Sequence, residues 1–353
     1  MEVIKLPLCK PPIKVYSNYA YVLSVLLNRE EAYDWFYSNF IQVKYIRETQ
    51  NKHRFIFNYS LGNLTKYFYN VPFLQVRSLN RDFLLKNCGD VIKFLCSALR
   101  EGYYVVTVVD NYYLSPKHEY KKRHNLHLIM LHGFSEQDSC FYSMGFDNEI
   151  YKESKLGFDS FRQAVSSMEG RNSQVRDDYC MMYKLQDENQ LAYPQENFNY
   201  FPYRFNRGLV KRNFQEYLDS VCSDEHFSAF YEVPSNGEYG ISYYDAMIEY
   251  VQKFLDGAYT GKIYTIPFHG MMEHKQIMVQ RLRYMQEKQY IRNIDSVAEK
   301  YEELAAQAMV IRNCVLKYNI SIKKELLEKV GRFLEEMYMI EKKTVEQLIR
   351  LMN

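Results

Sequence analysis

The stretch His127-Leu128-Ile129-Met130-Leu131-His132-Gly133-Phe134, then Ser135-Glu136-Gln137-Asp138, then Ser139-Cys140-Phe141-Tyr142-Ser143-Met144-Gly145-Phe146-Asp147, reads as a β-hairpin. Apolar and β-branched residues fill both arms, and the polar residues between them suit a short hairpin loop. If Phe134 pairs with Ser139, His127 falls opposite Phe146; a loop one residue different sets it opposite Asp147. Directly opposed residues of an antiparallel pair have Cβ atoms about 4.5 to 5.5 Å apart, near enough for a carboxylate to hold an imidazole in one tautomer. The hairpin thus offers a base and its orienter. Read blandly, the same two side chains are an ordinary strand-edge His and turn Asp.

Working outward, Tyr103 to Val109 is apolar on both faces, which predicts a central strand. The polar and aromatic loop from Asp110 to Leu126 then delivers the chain to His127 and forms one wall of a cleft. Helices are predicted from Ser17, over Glu30 to Phe40, over Asp82 to Arg100 and from Asp159 to Met168, with strands over Gln42 to Ile46 and His53 to Tyr59. Residues 171–205, with Pro194 and Pro202, break the pattern and mark a domain boundary near residue 175. Helices resume over Leu209 to Val221, Ser242 to Leu255 and Met271 to Lys288. Ser296 and Glu299 have capping-box spacing, and Val297, Tyr301, Leu304, Ala308, Ile311 and Val315 recur at three and four residues. Leu326, Val330, Phe333, Met337, Leu348 and Met352 do the same, so the chain closes on a long αα-hairpin. The expectation is an α+β catalytic domain over 1–175 with an antiparallel sheet, then a mainly helical region over 176–353.

A nucleophile for the hairpin's base is available far away, at Cys9 in Leu6-Pro7-Leu8-Cys9-Lys10-Pro11-Pro12. Cysteine near the start, then a helix, then His and Asp on successive strands is the papain-like chain order. Pro11 and Pro12 set Cys9 on an extended approach, and Ser17, the best N-cap, is a rival nucleophile. The thiol needs less activation than the hydroxyl.

Val109-Asp110-Asn111-Tyr112-Tyr113-Leu114, Tyr120-Lys121-Lys122-Arg123-His124 and His127 through Gly133 resemble the papain-fold acyltransferases related to the N-terminal domain of the butirosin biosynthesis protein H, and within them the amide synthetases of closthioamide-type biosynthesis. The likeness covers roughly the first 170 residues. It implies a papain-like cysteine-protease fold and an acyl-cysteine that takes an acyl or peptidyl group from a carrier-protein thioester and hands it to a small amine or diamine, as in nonribosomal peptide-like biosynthesis. His127 and Asp147 match the family's base and orienter, and Cys9 its nucleophile. Ser17, Asn18, Tyr112 and Tyr113 are candidates for substrate and oxyanion contacts, and Lys121, Lys122 and Arg123 for carrier docking. No ATP is required, and no cofactor beyond the carrier's own phosphopantetheine arm. A hydrolytic protease or amidase, and an inactive carrier-binding module with Cys9 turned from His127, are the alternatives.

Composition excludes other classes. A net charge of +2, from 45 Lys and Arg against 43 Asp and Glu in 353 residues, gives no field for nucleic acid or membrane. The 34 tyrosines beside a single Trp point to an interface or an amphipathic pocket. Seven cysteines without close pairs, no leader-like start and no apolar run long enough for a bilayer predict a cytoplasmic chain with reduced thiols. His118, His124, His127 and His132 crowd together in sequence, but His127 and His132 belong to opposite strand faces, so no metal is expected and His132 is read as packing on the hairpin's far face.

Overall fold

A computed structural model of the chain describes residues 2–47, 56–59, 71, 73–148, 150–167, 179–186, 204–229 and 238–352. The chain divides into two compact units, Met1–Ala32 with Lys66–Pro202 and Tyr33–Thr65 with Tyr203–Asn353. One boundary near residue 175 is therefore not what the chain adopts. It changes unit after Ala32, Thr65 and Pro202. The cause lies in the aromatic segment after Ala32, whose Phe36, Phe40, Tyr45 and Phe57 are buried and whose strands find their partner beyond residue 203.

In chain order the elements are β1 (Val3–Lys5), α1 (Ser17–Leu26), α2 (Ala32–Ser38), β2 (Val43–Ile46), β3 (Ile56–Tyr59), β4 (Leu74–Asn80), α3 (Arg81–Asn87), α4 (Val91–Arg100), β5 (Tyr104–Asp110), β6 (Leu126–Ser135), β7 (Cys140–Asp147), β8 (Ile150–Gly157), α5 (Phe158–Ser166), β9 (Tyr179–Leu185), α6 (Arg207–Leu218), β10 (Glu238–Tyr239), α7 (Tyr243–Leu255), α8 (Ile266–Glu287), α9 (Asp295–Ser321) and α10 (Lys324–Leu351). No described helix is long and apolar enough to cross a membrane.

The first unit is an antiparallel sheet in the order β4-β9-β5-β6-β7-β8, with β1 beside the end of β6. β5 is buried along its whole length, as its two apolar faces require. On one face Ile92, Leu95 and Leu99 of α4 and Phe161 and Val165 of α5 pack on Val105, Val109, Ile129, Leu131 and Phe141. α1, apolar nearly all round and buried from Tyr19 to Leu26, packs against β6, β7 and β9.

The helix expected over Asp82 to Arg100 is two, α3 and α4. Gly89 takes a left-handed φ of +68° and the Asp90 carboxylate caps the Ile92 N–H at 2.9 Å, so a second helix starts there. β4, β8 and β9 were not legible as strands. β8 is an edge strand with polar residues on both faces, and β9 lies inside the stretch read as a boundary.

In the second unit β10-β2-β3 form a small antiparallel sheet beside the helices. Residues 53–55 of the strand expected over His53 to Tyr59 lie outside the described residues. α9 and α10 form the αα-hairpin, with Leu327 and Leu334 buried on its seam rather than Leu326 and Phe333. The capping box is not made: α9 opens at Asp295 without a side-chain cap, and the Ser296 hydroxyl accepts from Gln347 Nε2 at 3.1 Å.

Candidate active site

The hairpin forms as β6 and β7, but its register is broken. Phe134 pairs with Phe141 and Met130 with Met144, and a β-bulge lies between Leu131 and Gly133. Beyond Met130 the arms no longer pair; the Tyr21 hydroxyl donates to the Leu128 carbonyl at 2.7 Å and the Lys117 ammonium to the Phe146 carbonyl at 3.2 Å. Extended by count, the register would set His127 against Asp147, yet the two are not joined. Asp147 binds the Lys152 ammonium at 2.6 Å and the His118 N–H at 2.7 Å. Burial would raise its carboxyl, but Lys152 and the His118 N–H outweigh that and hold it below the usual carboxylate range. His127 directs Nδ1 at the Leu128 carbonyl, 2.9 Å away. Burial, assisted by the Lys117 charge, lowers its pKa. The expected base–orienter pair is thus not assembled, because each partner is held elsewhere.

A carboxylate-held imidazole does exist in the preceding loop. Asp110, fully buried, accepts His124 Nδ1–H at 2.6 Å and the N–H groups of Tyr112 and Asn125 at 3.1 Å each. The Tyr112 ring stacks on His124 at 4.3 Å, and Tyr113 stands edge-on to Tyr112. Both tyrosines therefore brace this loop. Lys121, Lys122 and Arg123 are exposed on it, with Lys121 over the Tyr120 ring and Arg123 near Glu119. The loop adjoins the start of β6.

Cys9 lies near the other end of that strand. Leu6 N–H donates to the His132 carbonyl at 2.7 Å, and Cys9 N–H to the Ser24 carbonyl of α1 at 3.0 Å. A three-residue step from Leu6 spans at most about 11 Å, which bounds how far Cys9 lies from the Leu6–His132 bond. Lys5, Leu6, Pro7, Leu8, Cys9, Lys10, Pro11, Lys14, Ser24, His132, Met144, Tyr151 and Glu153 line one groove of about 640 Å³. Met144 and Phe141, three positions apart on β7, face opposite ways, so the groove opens on the face away from α4 and α5.

His132 stands two residues on from Met130, which pairs with Met144, so plain alternation sets it on the groove face, and the bulge after Leu131 is what returns Phe134 to the core face. Gly133 lets β1 pass beside the bulge: a Cβ on it would lie 2.3 Å from the Ile4 carbonyl oxygen. His132 Nε2 stands 3.4 Å from Glu153 Oε2 and Nδ1 3.4 Å from the Leu6 carbonyl, both long for hydrogen bonds. Glu153 is held by Lys5 at 2.8 Å. Burial lowers the His132 pKa against the pull of Glu153, so the ring is neutral. Burial also pushes the Cys9 thiol up, and Sγ donates to the Leu23 carbonyl at 3.5 Å.

Cys9, His132 and Glu153 thus line one groove, while His127 and Asp147 do not line it. His127, paired with the core residue Val109, and His132, which follows Met130 on the Met144 side, lie on opposite faces of β6 as alternation predicts; what pattern did not reveal is that the His132 face carries a groove. Gly133, a glycine inside a strand, is the sequence signal for the bulge. Ser17 opens α1 one turn before Tyr21, which reaches Leu128, so the helix start lies toward the His127 end with Asn18 beside it. Neither Ser17 nor Asn18 lines the groove. All seven cysteines are free thiols. The chain matches no family profile and no curated protein, so the family resemblance rests on the motifs quoted from its own sequence.

Proposed function

We propose that the first unit is a papain-related acyltransferase that forms amide bonds through an acyl-Cys9, with His132 as base and Glu153 as its orienter. The observation that carries this reading is the one groove lined by all three residues, with His132 following Met130 on the groove face of β6. In the tautomer with Nε2–H turned to Glu153, Nδ1 is the proton acceptor, and the ring turns from the Leu6 carbonyl, 3.4 Å from Nδ1, to take the thiol proton. The thiol proton passes to His132 as sulfur attacks a thioester carbonyl; the donor's C–S bond breaks and its thiolate takes that proton. An amine then attacks the acyl-cysteine, the new C–N bond replaces the C–S bond, and the amine proton returns through His132 to Cys9. Thioester exchange is nearly balanced and amide formation runs downhill, so no ATP enters. The donor is an acyl or peptidyl carrier thioester and the acceptor a small amine, as the resemblance implies. Lys121, Lys122 and Arg123 offer an exposed basic face to an acidic carrier.

Intact-protein mass after exposure to an acyl thioester tests this. One acyl adduct, lost in Cys9→Ala and kept in Ser17→Ala, is expected; an adduct that survives Cys9→Ala and disappears in Ser17→Ala overturns it. One observation favours a second reading, an inactive carrier-binding module: the Cys9 thiol is protonated and donates to Leu23. Thioester binding without any adduct would establish that reading.

A further inference from the structure

Among the described residues, two half-exposed imidazoles are held by buried carboxylates, one in each unit. His124 gives Nδ1–H to Asp110 at 2.6 Å, and His226 gives Nε2–H to Glu216 at 2.8 Å. The two differ in which nitrogen is left over and in the charge that stands beside it.

A carboxylate oxygen only accepts, so the bond to Asp110 fixes the proton of His124 on Nδ1 and leaves the lone pair on Nε2. Asp110 is itself fixed, since it has no exposure and also accepts the N–H groups of Tyr112 and Asn125. The Tyr112 ring covers one face of the imidazole at 4.3 Å. With Nδ1 turned inward and one face covered, the exposed part of the ring is its other face and its Nε2 edge, and no described group bonds to Nε2. Lys121, Lys122 and Arg123 precede His124 in the same turn and are exposed. Arg123 lies 3.4 Å from Glu119, while Lys121 and Lys122 have no carboxylate partner among the described residues. His226 has the opposite setting: it follows Asp224 and Glu225, and its remaining nitrogen is Nδ1, the one nearer its own main chain.

We propose that His124 is a phosphoryl-accepting site, modified on Nε2 by a donor of the phosphoramidate or acyl phosphate class. The Nε2 lone pair attacks phosphorus and forms the N–P bond. The bond from phosphorus to the donor's nitrogen or oxygen breaks, and ammonia or a carboxylate departs with its electron pair. The ring keeps its Nδ1 proton and gains a positive charge, which the Asp110 carboxylate faces at 2.6 Å. The dianionic group so formed stands on the turn that carries Lys121, Lys122 and Arg123, cations of the kind that draw in an anionic donor and pair with a phosphoryl product. The site is independent of acyl transfer at Cys9.

Incubating the full chain with potassium phosphoramidate at low salt tests this, with acid-labile phosphate located by peptide mass and its nitrogen isomer read by phosphorus NMR. One phosphoryl group on Nε2 of His124 is expected, formed at least about tenfold faster than any on His226, at the low end of what a focused field does to encounter. His124→Gln should lose it. Lys122→Glu with Arg123→Glu, both at exposed positions, should remove most of the excess, while the rate at His226 stays as it was and reports an intact protein. Equal rates at the two histidines, phosphorus on Nδ1 of His124, or a rate at His124 that the double variant leaves unchanged would overturn the proposal.

Discussion

Gly133 decides whether β1 can pass beside the histidine that precedes it. Its missing Cβ is what lets the backbone of Ile4 and Lys5 pass, and that segment continues to Cys9. Gly133→Ala should therefore destabilise the protein by about 1–3 kcal/mol as an overpacked contact and change the rate of Cys9 alkylation. Gly145→Ala, whose Cβ would meet its nearest neighbours at 3.4 Å, is the control expected to do less. Denaturant midpoints of the two variants check this, and equal losses would contradict it. The triad first read from the hairpin failed at this scale for a definite reason. Pattern fixes alternation but not the outside side chains, Tyr21 and Lys117, that take the carbonyls near His127, nor the Lys152 ammonium that takes Asp147. Burial also fixes a pH dependence. It lowers the pKa of His127, His132 and His274, in the last with the Lys275 charge assisting. The unfolded chain binds those protons near pH 6.5 and the folded one does not, so stability is full above that value and falls as pH drops through it. Asp147 and Glu238, both held low by cationic partners, add a second loss toward pH 4 and below. Urea midpoints at pH 7.5, 6.5 and 5.5 should fall between the last two; a flat series would mean that the imidazoles take up protons without unfolding.

Among elements, the helices of the second unit are fastened by a charge pair that no surface pattern announces. Lys275 of α8 and Glu341 of α10, both with no exposure, meet at 2.5 Å. Tyr217 of α6 accepts from Lys275 at 3.1 Å, while Tyr244 of α7 and Tyr301 of α9 donate to Glu341 at 2.7 and 3.3 Å. Five helices thus share one polar knot, and His274 Nδ1, 3.2 Å from the Lys275 ammonium, must stay neutral. Lys275→Met should cost about 3–5 kcal/mol because it strands a buried carboxylate, whereas Lys275→Met with Glu341→Leu should cost much less. A double variant as weak as the single one would show that the knot matters for its tyrosines rather than its charges. α9 and α10 were legible because their apolar period runs unbroken, and the knot was not, because Lys275 and Glu341 are residues that pattern alone assigns to the solvent side.

At the scale of the whole molecule, the fold class was legible and the partition of the chain was not. The sheet pairs β9 with both β4 and β5, so a fragment ending at residue 175, where composition changes, lacks an interior strand. It should fail to give dispersed amide spectra, while one ending at residue 202 keeps the sheet's strands but still carries the aromatic segment 33–65 without the residues it packs with. Well-dispersed spectra from the 1–175 fragment would contradict the strand order. The same interleaving sets a schedule on the ribosome. Tyr45 of β2 must wait for Glu238, 193 residues on, before its strand has its neighbour and its hydroxyl the carboxylate to which it donates. At about 5–20 residues per second that is an interval of roughly 10–40 s. Throughout it Phe36, Phe40 and Phe57 stand outside any finished core, which makes the nascent chain, rather than the completed protein, the form that a holding chaperone would recognise.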